Sequence, residues 1–259
     1  MDEGTETLLQ PDEPPAVTVM RADGKSDFFL TCEHAGNRIP RRLSTLGLGP
    51  ADLARHIAWD IGAKAVSEGL SERLDATLVC QIYSRLVIDC NRSPDVPDAI
   101  LAVSEATEIP GNRTVSPAEA AVRAREVFHP YHDRIEALLD QRAASGRASI
   151  LVTLHSFTPS YHGVTRPWHI GLLYNRDARL AKAVFEVLAA EPGLCVGDNE
   201  PYAVEDESDY TVPVHGERRG IPHVEIEIRQ DLIEAPDGQR EWAERLARVF
   251  LACRDRLIL

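Results

Sequence analysis

The chain of 259 residues is acidic, with a formal net charge of −13 and a pI near 5.1. This charge argues against a broad nucleic-acid-binding surface, although a local cluster of arginines can still bind a small anion. Hydrophobic residues make up 44% of the chain and charged residues 27%, as in ordinary globular proteins. No apolar run approaches the roughly 20 residues that a membrane-spanning helix needs. The scattered cysteines favour a reducing cytoplasm over a disulfide framework.

The sequence predicts one domain that follows a short tail. Residues 1–15 are acidic and contain prolines, unlike a signal peptide, and this composition predicts a flexible N-terminal tail. No linker divides the remainder, so we interpret residues 16–259 as a single domain.

Strand and helix patterns alternate along this domain. Short apolar runs predict strands at 28–32, 77–82, 86–89, 149–154, 168–173 and 224–228. Helical periodicities predict helices at 51–70, 117–144, 177–190 and 239–256, the second with a capping box at Ser116 and Glu119 and a kink at Pro130. Residues 93–112 have the composition of a long loop. The alternation predicts an α/β fold with three layers, a mixed, mostly parallel central sheet and helices on both faces.

Metal-binding and acid–base side chains accompany three of the apolar runs. His34 and His155 each follow a run, and Glu225 and Glu227 lie two residues apart within a third. The carboxyl ends of strands line the ligand crevice of an open α/β sheet. Two imidazoles and a carboxylate at that edge therefore favour a catalytic zinc site. Each histidine alone also fits a hydrogen-bonded turn or core position, so it is the pair that favours a metal.

Three acidic residues at predicted buried positions need partners. Asp60 falls on or beside the apolar face of the predicted 51–70 helix, where a carboxylate requires a partner or a metal. Glu225 and Glu227 share one face of a strand. Either they form salt bridges, for instance with Arg229, or one of them is a general base.

Arginines near one of the apolar runs are candidates for anion binding. Arg85 and Arg92 flank residues 86–91, and Asn91 is adjacent. Guanidinium groups match carboxylates with two hydrogen bonds, so this segment predicts carboxylate binding, with two surface arginines as the alternative. Arg166 is a weaker candidate for the same role. The sequence has neither a glycine-rich phosphate-binding motif nor a serine nucleophile elbow.

These segments make the sequence similar to the N-formylglutamate amidohydrolase family. The resemblance is carried by residues 33–40, 60, 88–92, 154–156 and 225–229. Their order also resembles, more distantly, the zinc carboxypeptidases and aspartoacylases. The resemblance implies a phosphorylase/hydrolase-like α/β fold, Glu227 rather than Glu225 as the base, and Asn91 with Arg92 as a clamp for a substrate carboxylate.

The resemblance also implies a divalent metal, with zinc favoured, held by His34 and His155. The wider group carries a glutamate ligand three residues after its first histidine, where this chain has Asn37, a poor zinc ligand. Asp60 is therefore predicted as the third ligand, with Glu33 or Asn37 as alternatives.

Together these predictions describe a cytoplasmic metal-dependent amidohydrolase acting on a small anionic substrate such as N-formyl-L-glutamate, without a nucleic-acid or membrane partner and with an open oligomeric state. Glu227 would take a proton from water activated by the metal, and Arg85 would help to stabilise the oxyanion. Two alternatives stay open. One is a non-catalytic carboxylate-binding protein, which Asn37 favours, and the other is a zinc deacylase or peptidase for a larger substrate.

Overall fold

The computed structural model describes residues 7–254. Its strands are β1 (Val17–Met20), β2 (Phe28–Cys32), β3 (Thr77–Gln81), β4 (Val103–Ser104), β5 (Thr107–Glu108), β6 (Ile150–Phe157), β7 (Ser160–Tyr161), β8 (Val164–Thr165), β9 (Ile170–Leu173), β10 (Val196–Asp198) and β11 (His223–Arg229). Its helices are α1 (Pro50–Leu53), α2 (Ala63–Leu74), α3 (Pro117–Arg123), α4 (His129–Ala144), α5 (Arg179–Leu188) and α6 (Pro236–Arg254). Two π-helical turns span Ala124–Phe128 and Val212–Glu217.

One mixed sheet organises the domain, with the strand order β1-β3-β2-β6-β11-β9-β10. Strands β3, β2, β6 and β11 are parallel. The two edges differ: β1 is antiparallel to β3, and β9 is antiparallel to β11 but parallel to β10. The short pairs β4–β5 and β7–β8 form separate hairpins.

Helices cover both faces of this sheet. Leu30, Val152 and Ile226 are fully buried in the larger core, which also contains the apolar sides of α2, α5 and α6. Alternate residues point the other way, so Phe29 and Leu151 pack with the apolar side of α4. The predicted three-layer α/β fold with a mostly parallel sheet is confirmed.

The described part of the predicted tail contacts the domain. Leu8 is buried, and the backbone N–H groups of Leu8 and Leu9 donate to the Glu126 carboxylate at 2.7 and 2.8 Å. The Tyr83 hydroxyl donates to the carbonyl of Pro14 at 2.8 Å. Residues 7–15 therefore pack on the domain, whereas residues 1–6 of the predicted tail lie outside the described residues.

The predicted 51–70 helix is wrong, because the chain turns between α1 and α2. Gly62, which precedes α2, has a φ of +81°, and a Cβ there would lie 2.2 Å from the carbonyl oxygen of Ile233. Glycine therefore fits this position without strain. Asp60 lies in the turn segment rather than on a helix face.

Two strand predictions near the site also need correction. Residues 86–89 form a turn and an irregular segment instead of a strand, with the N–H of Val87 donating to the carbonyl of Ser84 at 2.9 Å. Strand β6 continues beyond the predicted end at residue 154, so His155 lies within the strand rather than after it. Its partner strand β11 extends equally far, which keeps the backbone groups of both strands hydrogen-bonded.

The other predicted strands and helices agree in type; β2 also agrees in its bounds, and the rest have shifted ends. The predicted loop at 93–112 contains the short β4–β5 hairpin. The capping box of Ser116 and Glu119 is confirmed at the start of α3, and the helical segment ends at Ala144. A π-helical turn immediately precedes the region of Pro130, where the sequence predicts a kink. The predicted end of the last helix, at 256, lies outside the described residues. Within residues 7–254, no helix has both the length and the apolar character needed to cross a bilayer.

Candidate metal-binding and active site

Polar side chains replace apolar ones where β2, β6 and β11 reach their carboxyl ends. In the parallel register of β6 and β11, His155 lies opposite Glu227 and Thr153 lies opposite Glu225. These four side chains share the sheet face that points away from the larger core, because their neighbours Leu154 and Ile226 belong to that core. His34 lies in the turn just after β2, beside the same sheet edge.

Three side-chain atoms of the kind that bind metal ions converge at this edge of the sheet. The Nδ1 atoms of His34 and His155 are 3.2 Å apart, and they lie 3.3 and 2.9 Å from Oδ2 of Asp60. All three side chains are buried. Ligand atoms held tetrahedrally at about 2.0–2.2 Å from a zinc ion are roughly 3.3–3.6 Å from one another. The three atoms therefore have the spacing of ligands that can hold one metal ion.

The outer nitrogens of both imidazoles are paired with carboxylates. Nε2 of His34 donates to Oδ1 of Asp89 at 2.7 Å, and Nε2 of His155 lies 3.0 Å from Oε2 of Glu33. A carboxylate only accepts hydrogen bonds, so these contacts place a proton on each Nε2, while both Nδ1 atoms face Oδ2 of Asp60. Metal-binding histidines are commonly oriented in this way.

The alternatives for the third ligand have other contacts. Glu33 lies behind His155, where its Oε2 also accepts from the Thr153 hydroxyl at 2.7 Å. Asn37 is exposed and donates to the carbonyl of Leu53 at 2.8 Å. Asp60 is thus the acidic side chain that the structure brings to the two Nδ1 atoms.

Carboxylates outnumber arginines around the two histidines. Arg85 donates to Oδ2 of Asp89 at 2.9 Å and to Oδ1 of Asp60 at 3.3 Å. Burial alone would raise the pKa of both aspartates, but the charge of His34 and other nearby cationic groups hold each pKa well below its usual value. Burial would likewise raise the pKa of Glu33, which its contacts with His155 lower instead. The three carboxylates are therefore held in their ionised form, in which a carboxylate oxygen can bind a metal ion.

The two glutamates of β11 have unusually weak acidity. Burial raises the pKa of both Glu225 and Glu227 to about 8, although the charge of His155 opposes the shift. Oε2 of Glu227 is buried and has no hydrogen-bond partner among the described residues. The alternative of a salt bridge between these glutamates and Arg229 is not found, because that guanidinium pairs with Asp231 at 2.8 Å. Glu227 can therefore exchange a proton with a molecule in the cavity.

Asn91 and Arg92 hold a neighbouring loop. Oδ1 of Asn91 accepts from the backbone N–H groups of residues 210 and 211, at 3.2 and 3.1 Å, while Nδ2 donates to Asp209 at 3.2 Å and to Glu225 at 3.5 Å. Nη1 of Arg92 also donates to Asp209, at 3.1 Å. All four hydrogen-bonding positions of the Asn91 amide are in use, so in this structure it has none left for a substrate.

Arg166, the third of the predicted substrate-binding residues, follows β8 and is 7% exposed. Its guanidinium carbon lies 4.7 Å from the ring centre of Tyr161 and 4.8 Å from that of Tyr202. Nη1 donates to the Thr158 hydroxyl at 3.3 Å.

A cavity of about 660 Å³ brings these groups together. The residues that line it include His34, His155, Glu225 and Glu227 together with Arg85, Asn91 and Arg92. Three loops form the rim, namely the β4–β5 hairpin, the β7–β8 hairpin and residues 202–209. The cavity is thus open to a small molecule that reaches both the histidines and the arginines.

The sequence interpretation missed Asp89 and Asp209 as members of the site. Asp89 was part of the family-like segment 88–92, and an acid directly after the apolar residues 86–88 was a signal for it. Asp209 lies in a polar stretch, 205–209, with several other acids, and nothing in the sequence distinguishes it from them.

Comparison with known proteins adds a family to this geometry. The model of the N-formylglutamate amidohydrolase family matches residues 26–234, a range that contains every predicted site residue. The chain belongs to this family. Membership makes the protein a hydrolase that acts on amide bonds, rather than a non-catalytic carboxylate-binding protein.

Solved structures have the same fold. Gene product Atu2144 from Agrobacterium tumefaciens is 41% identical, with a TM-score of 0.94 over 97% of this chain and 100% of its own. The N-formylglutamate amidohydrolase from Ralstonia eutropha JMP134 is 20% identical, with a TM-score of 0.66 over 94% of this chain and 98% of its own. At that identity the second likeness shows the fold alone. No curated protein sequence matches the chain.

Proposed function

We propose that the protein is a metal-dependent amidohydrolase that removes the formyl or a related N-acyl group from a small acidic amino-acid derivative, such as N-formyl-L-glutamate. The observation that carries this proposal is the convergence of His34 Nδ1, His155 Nδ1 and Asp60 Oδ2 within 3.3 Å, in a cavity that Glu227 also lines. Amide hydrolysis needs an activated water and a proton carrier, and this arrangement supports both requirements.

His34, Asp60 and His155 are the proposed metal-binding residues, and zinc suits a set of two imidazoles and one carboxylate. When bound, such an ion supplies a Lewis acid that lowers the pKa of water and polarises an amide carbonyl. Asp89 and Glu33 keep the two imidazoles oriented through their Nε2 atoms.

Glu227 is the proposed base. It takes a proton from the attacking water and returns it to the leaving amine. Burial raises its pKa to about 8, so the carboxyl group can exchange a proton in either direction near neutral pH. Arg85, on the cavity wall, is the proposed electrostatic partner of the developing oxyanion, although two aspartates share its charge.

Arg92 is proposed to bind a substrate carboxylate. Its Nη1 is occupied by Asp209, whereas its Nε and Nη2 donate no hydrogen bond to any residue in the range 7–254. Asn91 supports Arg92 indirectly, because it anchors the loop that carries Asp209. This division differs from the predicted clamp, in which both side chains touch the substrate.

A deacylase or peptidase for a larger substrate is the second candidate. The cavity of about 660 Å³ lies well within the range of roughly 300–1,000 Å³ that is typical of drug-sized ligands. Val103, Tyr161, Val164 and Tyr202 are exposed apolar or aromatic side chains on the rim loops. This rim favours a substrate with an additional apolar group.

The test begins with untagged protein and a measurement of bound metal. Zinc-loaded protein is expected to release formate from N-formyl-L-glutamate, and removal of the metal by a chelator is expected to abolish the reaction. N-acetyl-L-glutamate and N-formylglutamyl peptides are assayed in parallel, and faster cleavage of the peptides would favour the second candidate. Absence of hydrolysis with zinc, cobalt and manganese on every substrate would refute the proposal.

The metal site has a matched pair of variants. Asp60→Asn replaces an anionic oxygen ligand by a neutral amide and is expected to weaken zinc affinity at least about 100-fold. Asn37→Ala removes an exposed amide outside the cluster and should leave the affinity unchanged. A zinc competition titration measures both, and the reverse order would transfer the ligand role to Asn37.

A further inference from the structure

A third histidine, His56, lines the cavity but is not one of the three converging metal-binding side chains. Its side chain is 17% exposed, and its Nδ1 lies 3.8 Å from Oδ1 of Asp60. The Nδ1 atoms of His34 and His155 face the other oxygen of this carboxylate, Oδ2. His56 therefore lies beside the proposed metal-binding atoms, and the proposed reaction assigns it no role.

The turn that carries His56 is tied to the neighbouring parts of the site. It lies between α1 and α2, and the carbonyl oxygen of Ala58 accepts from the backbone N–H of Arg85 at 3.2 Å. The backbone N–H of Asp60 donates to the carbonyl of His34 at 3.0 Å. These two hydrogen bonds join the turn to the segments that carry His34 and Arg85, so His56 is held in a fixed place beside them.

Within residues 7–254, neither ring nitrogen of His56 makes a hydrogen bond. Nδ1 is fully buried, and Nε2 is the nitrogen that keeps access to the cavity. Burial lowers the pKa of this imidazole to about 4, so at neutral pH the ring has one N–H and one lone pair. The carboxylate of Asp60 favours the proton on the nearer nitrogen, Nδ1, which leaves Nε2 as a hydrogen-bond acceptor.

An acceptor without a protein partner has a specific match in the proposed substrate. N-formyl-L-glutamate with both carboxylates ionised has several acceptor oxygens, and its amide N–H is its only hydrogen-bond donor. We infer that His56 is a further substrate-binding residue, whose Nε2 accepts a hydrogen bond from the N–H of the scissile amide. This inference rests on the proposed function and adds a contact at the reacting group.

The contact has two consequences for the reaction. It fixes the amide hydrogen on the side of His56, so that the lone pair that the nitrogen gains in the tetrahedral intermediate can point away from His56, towards the proton on Glu227. It also distinguishes an amide from an ester, because the ester oxygen has no hydrogen to donate and its lone pairs repel the one on Nε2.

The kinetic test compares N-formyl-L-glutamate with (S)-2-formyloxyglutarate, the ester in which oxygen replaces the N–H group. His56→Ala is expected to lower kcat/KM for the amide about 10-fold, the size of a hydrogen bond whose loss leaves the donor unpaired, with little change for the ester. A His56→Ala enzyme with the wild-type ratio of the two substrates would overturn the inference. A general effect on folding or on Asp60 would lower both substrates alike.

Two further replacements test the assignment to Nε2. His56→Gln can place an amide oxygen near the position of Nε2 and should keep part of the preference for the amide. His56→Asn is one methylene shorter, reaches only the position of Nδ1 and should lose the preference. The reverse order would contradict the contact at Nε2. This pair also decides the matter if His56→Ala fails to fold.

Metal analysis of the same variants separates substrate binding from metal binding. All three should keep the wild-type metal content, and His129→Ala, an exposed histidine on α4, is the control for both metal content and substrate preference. Loss of the metal from each His56 variant would make His56 a metal ligand and would overturn the inference.

A binding measurement distinguishes failure of this inference from failure of the proposed reaction. Calorimetry compares N-acetyl-L-glutamate with its ester analogue, (S)-2-acetoxyglutarate, on metal-loaded Glu227→Gln protein, in which hydrolysis is slowed. This protein should bind the amide at least about 10-fold more tightly, and addition of His56→Ala should make the two affinities alike. If wild type hydrolyses neither formyl compound but shows this discrimination, the proposed reaction fails and the His56 contact stands. Equal affinity for the two ligands with His56 in place would refute the contact itself.

Discussion

Strands β6 and β11 have two faces with opposite properties. Leu154 and Ile226 lie in the apolar core on one side, whereas His155 and Glu227, the next residues along the same strands, lie among charges on the other. Burial of charged groups costs free energy unless partners or ligands compensate for it. The apolar face must therefore supply stability that the cavity face lacks. We expect that activity and stability can be changed separately, by substitutions only one residue apart.

The largest expected effect lies on the cavity face. His155→Ala removes one of the three converging donor atoms and should abolish both bound zinc and amidohydrolase activity, while the fold persists because the apolar face is unchanged. Elemental analysis after dialysis and circular dichroism measure the two outcomes. His129→Ala, an exposed histidine on α4, is the matched control and should keep both metal and activity. Zinc retained at the wild-type level by the His155 variant would refute the ligand assignment.

The next effect concerns the proton carrier. Glu227→Gln keeps the shape of the side chain but removes the base, so kcat should fall by at least about 100-fold with metal content unchanged. Glu225→Gln, two residues away on the same face, should reduce kcat much less, since its carboxylate contacts Asn91. Steady-state kinetics on both variants distinguish the two roles, and a fully active Glu227→Gln enzyme would move the base to Glu225.

The apolar face should give the complementary result. Ile226→Ala creates a cavity in the larger core and is expected to lower the free energy of unfolding by about 2–5 kcal/mol. Because the side chain points away from the site, kcat per folded molecule should stay within about twofold of wild type. Urea denaturation and active-site titration measure the two quantities. A loss of kcat comparable with that of Glu227→Gln would show that the two faces are coupled.

The alternation of the two faces along β6 and β11 also explains how much of the site could be predicted from the sequence. Residues along β11 change from apolar to acidic with a period of two, and this local pattern is enough to indicate that Glu225 and Glu227 share a face. Asp60 was predicted as a ligand because it was placed on the apolar face of a helix, and that reason is incorrect. Leu53, Ile57 and Ile61 have helical spacing in the sequence, although no continuous helix forms there. Its actual position depends on the turn before Gly62 and on the hydrogen bond from its N–H to the carbonyl of His34, at 3.0 Å.

Contacts between residues that are far apart in the sequence cannot be predicted from local sequence patterns. Asp89 contacts His34 across 55 positions of sequence, and Asp209 contacts Asn91 across 118. The arrangement of Arg166 between Tyr161 and Tyr202 likewise requires two separate loops to meet. Periodicity reports which face of an element is buried, whereas such partners are set by how the elements pack in three dimensions.

The smallest expected effect is a pH dependence of stability in the metal-free protein. Burial raises the pKa of Glu225 and Glu227 from 4.5 to about 8, so between these values the folded state binds more protons than the unfolded state. The contribution of these groups to the free energy of unfolding must then fall as the pH rises through that window. A Glu225→Gln/Glu227→Gln double variant lacks this loss, so its Tm relative to wild type should rise between about pH 5 and pH 8.

Differential scanning fluorimetry in the presence of a chelator measures this Tm difference at several pH values. We expect an increase of at least about 2 °C, which corresponds to roughly 0.5–1 kcal/mol for a domain of this size. Glu234→Gln, an exposed glutamate outside the cavity, is the control and should give a difference that does not depend on pH. If the Tm difference between the double variant and wild type also does not change with pH, both glutamates titrate normally in the folded protein. Burial of these two carboxyl groups would then cost no free energy on the cavity face.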